Sequence, residues 1–201
     1  MTDYNNKYSS AECYFGKNPH SLVVDLTKHL LKNAKILDLG AGEGKNAIYL
    51  AKQGFDMVAL DSSEVGIKKI KQLAQQLDLQ INAEVDDVIN FLDKGGTYDA
   101  IIGINVLQFL KQSDINNVIE KIKIRTNIDG FNAIVSFIAP DDEKKQVAIN
   151  KNRYLFNKGE LKKYYDKWDV LKYVEKWSEW ETHGEDSHQH YIVSLLAQKR
   201  N

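Results

Sequence analysis

Three alternating glycines, Gly40, Gly42 and Gly44, follow the apolar run Ile36-Leu37-Asp38-Leu39, and two carboxylates, Asp38 and Glu43, flank them. Glycines in this pattern permit positive φ angles and close backbone approach, as a tight turn around a bound molecule requires. A third acid, Asp61, ends the next apolar run, Phe55 to Leu60. At the end of the second strand of a βαβ unit, an acid is placed to accept hydrogen bonds from a ribose. Spacing then decides the ligand's charge. The dinucleotide fingerprint G-x-G-x-x-G seats a pyrophosphate on a helix N-terminus. Here the spacing is G-x-G-x-G, and carboxylates beside a phosphate would repel it. Beside a ligand with an ammonium and a sulfonium they would attract. An ordinary glycine-rich turn and a nicotinamide-type site are the competing readings.

A second concentration of chemistry is His183-Gly184-Glu185-Asp186-Ser187-His188-Gln189-His190-Tyr191. In an extended segment, His188 and His190 share one face. Three histidines with Glu185 or Asp186 could bind a metal, or line a pocket for an anionic or soft acceptor. The spacing matches no helical zinc motif such as H-E-x-x-H, so no metal site is assigned; a polar loop with its histidines in water is the plainer reading. Trp168, Trp177, Trp180, Tyr164 and Tyr165 could wall a pocket, although core and hairpin packing is the commoner use of such residues. Arg153 and Tyr154 fall in a segment that reads as a lid between the fifth strand and a late helix.

The elements that must position these groups alternate. Strands are predicted at Lys35–Leu39, Phe55–Leu60, Gln80–Val85, Tyr98–Ile104 and Asn132–Ile138, with helices at about 45–53, 64–77 and 113–126 and a short one over Val88–Leu92. Asn18-Pro19 reads as a cap and first helical residue for a helix faced by Leu22, Val23, Leu26 and Leu30, and Ser113 as the cap of the last long helix. Strands separated by helices predict a parallel sheet with right-handed crossovers. Beyond Pro140 the chain becomes charged over Asp141–Lys145, then offers a helix entry over Lys158–Tyr165. Two further strands, Trp168–Val174 and Tyr191–Ala197, read as an antiparallel pair at the sheet edge.

With 201 residues, 43% of them hydrophobic, the chain suits one domain with one well-buried interior rather than two. A net charge of −1 gives no reason to expect nucleic acid or an anionic membrane as partner. The single cysteine, Cys13, excludes an intrachain disulfide and fits a reducing compartment. Met1–Tyr8 lacks the apolar core of a secretory signal, and no stretch approaches a membrane span. These features predict a cytoplasmic protein, monomer or homodimer, with a small-molecule partner.

Further motifs narrow the reading: Tyr14-Phe15-Gly16-Lys17, Asp38-Leu-Gly-Ala-Gly-Glu-Gly-Lys-Asn46-Ala-Ile-Tyr-Leu-Ala, Gly54-Phe55-Asp56, Asp61-Ser62, Tyr98-Asp99-Ala-Ile-Ile, Leu107-Gln108-Phe109-Leu110 and Gly159-Glu160-Leu-Lys-Lys-Tyr-Tyr-Asp-Lys-Trp168. From Tyr14 to the end, the chain resembles the class I S-adenosylmethionine (SAM) methyltransferases, and among them the tellurite-resistance family. The resemblance implies an α/β, Rossmann-like doubly wound, mostly parallel seven-stranded sheet with an antiparallel C-terminal edge hairpin. It also implies one domain over 1–201, with a SAM-binding half at about 14–140 and a substrate, lid and edge-strand region at about 141–199.

Carried over by position, the resemblance has Gly40, Gly42 and Gly44 admit the methionine part of SAM and Asp38 place its ammonium, with Asn46 and Ser62 in the same cofactor-binding motifs. Asp61 would accept from both ribose hydroxyls. Asp87 would accept from the adenine amine (or Asp86, if the strand ends one residue earlier), and the Val88 amide would meet the ring. Asn105 would lie near the methyl group, and with His183 it is a candidate catalytic residue. His183, His188, His190 and Arg153 are candidates for the acceptor pocket. In the family a histidine near this place is followed by arginine, whereas His183 is followed by Gly184 and the next arginine is Arg200, a departure that bears on tellurite itself as acceptor.

The implied activity is methyl transfer from SAM to a small molecule, such as a thiol or a tellurite- or selenite-like species. A non-catalytic SAM sensor and a nicotinamide oxidoreductase are the alternatives. A sulfonium is already an activated leaving group, so alignment and exclusion of water matter more than an acid or base. A base-methylating enzyme would need a basic face and an aromatic pocket for a flipped base, and no Asn-Pro-Pro-Tyr type loop is present.

Overall fold

Side chains alternate along a strand, so Ile36 points to one face of the first strand and Leu37 and Leu39 to the other, and each face seeds its own core. The computed structural model describes residues 4–10, 13–140, 153–183 and 186–200, with backbone alone for 181–183 and 186–188. Strands β1 (Lys35–Leu39), β2 (Asp56–Asp61), β3 (Ile81–Val85), β4 (Tyr98–Ile104), β5 (Thr126–Phe137), β6 (Asp169–Trp177) and β9 (Tyr191–Gln198) form one sheet in the order β3-β2-β1-β4-β5-β9-β6. The first five are parallel, and β9 runs antiparallel to both β5 and β6. β7 (Glu181–His183) and β8 (Asp186–His188) pair separately. This is the expected doubly wound sheet with its antiparallel end.

Helices α2 (Ser21–Thr27), α3 (Lys45–Lys52) and α4 (Glu64–Gln76) bury Leu22, Leu26, Ala47, Leu50, Ile67 and Ile70 on one face. On the other, α5 (Val88–Lys94), α6 (Gln112–Arg125) and α7 (Glu160–Tyr164) bury Phe91, Ile115, Val118, Ile122 and Leu161. Each of the larger of these side chains, fully buried, is worth about 1.5–3 kcal/mol, so the sheet is held from both sides. One helix, α1 (Tyr4–Ser9), stands apart from these layers and packs on α4. Among the described residues no helix is long and apolar enough to cross a membrane.

Hydrophobicity settles which antiparallel strand lies inside. Ile192–Ala197 of β9 are all buried, whereas no residue of β6 is. A strand buried on both faces belongs inside a sheet, and one without a buried face suits the edge. Among the boundaries that depart from expectation, three have a visible local cause. α2 starts at Ser21 rather than Pro19, because His20 is extended, donates its N–H to Asn46 Oδ1 at 2.9 Å and accepts from Leu22 N on its own ring. Ser113 is not the cap of α6: Lys111 holds that position, and the Ser113 hydroxyl donates to Asp114 Oδ1 within the first turn. β5 begins at Thr126, six residues early, as α6 passes directly into it; Gly130 permits this, because a Cβ there would lie 2.8 Å from the Asp99 carbonyl oxygen.

β1 has β2 on one side and β4 on the other, so the winding reverses between β1 and β4. Ligands of such sheets bind in the crevice at the carboxyl ends of the strands flanking that switch.

Candidate active site

The turn after β1 is where the sequence places its glycines. Gly40 (φ 67°), Gly42 (φ 58°) and Gly44 (φ 86°) all adopt left-handed backbone. A Cβ on Gly40 would fall 2.6 Å from Val106 Cγ2 and 2.8 Å from Val106 Cβ. The turns after β1 and β4 therefore meet only because Gly40 has no side chain. Backbone bonds fix the rest: Ala41 N donates to Leu60 O at 2.8 Å, Gly44 N to Ala41 O at 2.9 Å, and Gly42 N to Asp61 Oδ2 at 2.8 Å. Asp61 Oδ1 accepts from Ser63 N at 2.8 Å. Asp61 thus braces the glycine loop, while each carboxylate oxygen keeps a second lone pair for a ligand hydroxyl.

Asp38 is 1% exposed, and its Oδ2 has no hydrogen-bond partner among the described residues. Burial first, and then the charge of Asp61, push its carboxyl up to about 8. A buried acceptor left unmade costs about 1–3 kcal/mol, so this oxygen calls for a donor from outside the chain. Cationic nitrogen answers both needs, since it donates a hydrogen bond and stabilises the carboxylate. This buried acceptor therefore fits the ammonium of SAM.

Other predicted residues fare variously. Glu43 does not face the ligand side of the loop: its oxygens take Lys69 Nζ at 2.7 Å and the amides of Tyr14 and Phe15. The attraction once shared between two acids thus falls to Asp38, with Asp61 beside it. Asn46 is buried in the first turn of α3 and its Oδ1 holds His20 N. Ser62 is exposed just beyond Asp61. β3 ends at Val85, and Asp87 Oδ1 caps α5 by accepting from Ile89 N and Asn90 N; Val88 is the helix's first residue. Asp86 is turned to Lys94, which with the Asp87 amide lowers its carboxyl pKa. Of the two acids, Asp87 remains the one facing solvent.

At the other end of the crevice, Asn105 follows β4 in left-handed backbone (φ 57°), its N–H on Val135 O at 2.9 Å. Asparagine tolerates that conformation better than most side chains, and such strain gathers at functional sites. Tyr154 N donates to Gln108 O at 2.9 Å, which brings Arg153 over two rings, 4.9 Å from Phe109 and 5.4 Å from Phe137. His190 stacks on Phe137 at 4.1 Å, and Tyr4 meets Phe109 edge-on at 5.4 Å. Arg153 and His190, separate guesses in the sequence, therefore share one ring.

For His183 and His188 the structure gives the backbone alone. They lie in β7 and β8, paired in register with Asp186 and Glu181, and β8 ends at His188 before β9 starts at Tyr191. The shared face expected for His188 and His190 is a matter of side chains, and those of 183 and 188 lie outside the described residues. Of the aromatic cluster, Tyr165 is fully buried with its hydroxyl on Asn132, Trp168 packs edge-on against it at 5.2 Å, Trp177 packs on Tyr191, and Trp180 is exposed. Tyr165, Trp168 and Trp177 pack the fold. Tyr4, Tyr8, Phe109 and Phe137 were missed; the i,i+4 pair Tyr4/Tyr8 was the available signal for the first two.

A family model described as "Tellurite resistance protein TehB" matches residues 3–193. A protein of Haemophilus influenzae named probable S-adenosyl-L-methionine-dependent methyltransferase TehB is 32% identical over 167 residues, covering 81% of this chain and 57% of its own length. This chain thus spans little more than half the length of the curated relatives it matches first. The crystal structure of TehB from H. influenzae superposes with a TM-score of 0.82 at 27% identity, over 96% of this chain and 67% of that one. A Burkholderia thailandensis 1,6-didemethyltoxoflavin-N1-methyltransferase, solved with its substrate and S-adenosylhomocysteine, superposes at 0.74 over 100% of this chain and 87% of its own. At 18% identity, that second likeness is one of fold.

Proposed function

Because the chain belongs to the TehB family, we propose that it binds SAM at the glycine loop and passes the methyl group to a small-molecule acceptor. The observation that carries the reading is the buried carboxylate of Asp38, two residues before the loop, with an oxygen that no described residue meets. In this reading Asp38 holds the ammonium, Asp61 the ribose hydroxyls and Asp87 the adenine amine, with the Val88 amide at the ring. Gly40, Gly42 and Gly44 let the backbone close on the ligand, and Asn46 and Ser62 support that end.

When bound, the cofactor supplies a methyl group on positively charged sulfur, already activated for departure. The chain's own share is alignment and dryness. Asn105 stands near the transfer point. Tyr4, Phe109 and Phe137 exclude water, and Arg153 and His190, with His183 and His188, draw in the acceptor. A soft acceptor such as a thiol or a metalloid species suits this set, because it needs little proton removal and the site requires no strong base. We take residues 1–201 as one methyltransferase domain whose cofactor part includes α1, beyond the 14–140 read from sequence. A cytoplasmic setting is supported by the lone cysteine.

The test is conversion of SAM to S-adenosylhomocysteine with a panel of thiols and metalloid oxyanions. Turnover with at least one acceptor is expected. Tight SAM binding with none would favour a non-catalytic sensor, and NAD binding without SAM binding would overturn the reading. Changing His183, His188 and His190 together to alanine should impair turnover and leave SAM affinity nearly unchanged; full turnover would remove these histidines from the acceptor site.

A further inference from the structure

Glu43 sits within the glycine loop yet faces away from the ligand, and its partners give it another use. Oε1 meets Lys69 Nζ at 2.7 Å, while Oε2 accepts from Tyr14 N at 2.8 Å and Phe15 N at 3.3 Å. The same Nζ donates to the Tyr8 carbonyl oxygen at 2.5 Å. One ion pair, its Glu43 side chain 6% exposed, thus joins the loop, α4, α1 and the Tyr14–Phe15 segment. A second tether runs alongside, with Asn5 Oδ1 accepting from Ser63 Oγ at 2.6 Å and Val65 N at 3.3 Å.

The result is a tyrosine pressed onto the loop. Tyr8 is buried, and a Cβ on Gly42 would lie 2.9 Å from its hydroxyl. Gly66 of α4 completes the contact, since its Cβ would fall 2.5 Å from Gly42 O and 3.3 Å from Tyr8 Cε2. Burial and the nearby Asp61 raise the pKa of Tyr8, and burial raises that of Tyr4, one turn earlier, with Arg153 opposing and Asp61 adding to it. Through Phe109, Tyr4 connects this corner to the acceptor end. A helix of six residues is not stable alone in water, so α1 keeps its place only while it is held.

We propose that Lys69 and Glu43 are positioning residues that clasp α1 across the glycine loop, making Tyr4 and Tyr8 walls of the cofactor site that must part for the ligand to enter and leave. The inference rests on the cofactor reading above. Removing Lys69 would leave the buried Glu43 carboxylate without its cation, held by the Tyr14 and Phe15 amides, and α1 would loosen while the sheet stayed intact.

Surface plasmon resonance with S-adenosylhomocysteine on the full chain tests this. Lys69→Ala and Glu43→Gln should each raise the dissociation rate about tenfold, the size of losing one hydrogen bond to a charged group. The association rate should rise as well, and Lys69→Arg should restore most of both. Hydrogen exchange supplies a second readout: amides of residues 5–10 should exchange faster in Lys69→Ala and slower in the wild type with S-adenosylhomocysteine, with β1 and β4 unchanged. Unaltered rates in folded variants would overturn the clasp, as would α1 amides indifferent to the ligand if the variants do not fold. A wild type that binds no S-adenosylhomocysteine would sink the cofactor reading and the clasp together.

Discussion

The two ends of the crevice are built by different means. At the cofactor end, left-handed glycines and the amides of Ala41, Gly42 and Ser63 set the shape, so backbone does most of the work. At the end proposed for the acceptor, Arg153, Phe109, Phe137, His190 and Tyr4 meet through ring contacts. A backbone cradle admits no larger residue at its glycines and hence holds one kind of ligand. Ring contacts are worth only about 0.5–1.5 kcal/mol each, and Arg153 and Phe109 lie outside the strands of the sheet. On the proposed reading, the first arrangement fixes a cofactor and the second leaves the acceptor free to vary.

The comparison breaks first at Gly40. Gly40→Ala combines left-handed strain of about 1–2 kcal/mol with crowding against Val106 of about 1–3 kcal/mol. Unfolding in urea should therefore show a loss of roughly 2–5 kcal/mol, with SAM binding lost as well; a variant with wild-type stability and affinity would mean that the loop is not the rigid end. Asp61→Ala comes next. It should weaken SAM binding by roughly 1.5–3 kcal/mol and also destabilise the free protein by about 1–3 kcal/mol, because the Gly42 and Ser63 amides lose their acceptor. Asp61→Asn, which keeps one acceptor oxygen, should recover part of the stability. Smallest is Arg153→Ala, which removes a cation–π contact of about 0.5–1 kcal/mol. It should raise the acceptor KM while calorimetry finds SAM affinity unchanged. Equal losses in both would show that the two ends are one.

Legibility in the sequence follows the same division. β1 and β4 were read to the residue, because short apolar runs bounded by glycine or a polar turn leave little choice. The glycine loop and Asp61 were legible because φ > 0 and a strand-end acid are local requirements. Glu43 was misread: its partner Lys69 is 26 residues away, and local spacing cannot say which of two acids turns toward a ligand. α1 escaped notice because its six residues show one buried side chain, Tyr8. Its place depends on Asn5, Glu43 and Lys69 rather than on an apolar stripe. The Arg153–Phe137–His190 row was hidden for a similar reason, since it joins the start of a late segment, the end of β5 and the approach to β9. Such long-range meetings are set by the tertiary fold, and no periodicity announces them.

Asp38 offers the most direct test. With its carboxyl raised to about 8, above the ordinary range near 4, it is mostly protonated at pH 7 in the free protein. A raised folded-state value gives stability that is complete below about pH 4 and lost as pH rises toward 8. The melting temperature of the free protein should carry that decline, and Asp38→Asn should remove it. Binding a cation beside this group should drive the proton off. Calorimetry of SAM binding at pH 7 in buffers of different ionisation enthalpy should therefore find about one proton released per molecule bound. Asp38→Asn should abolish the release and weaken binding by roughly 1.5–3 kcal/mol. SAM binding with no proton released, or unchanged affinity in Asp38→Asn, would contradict the assignment of Asp38 as the cofactor's anchor.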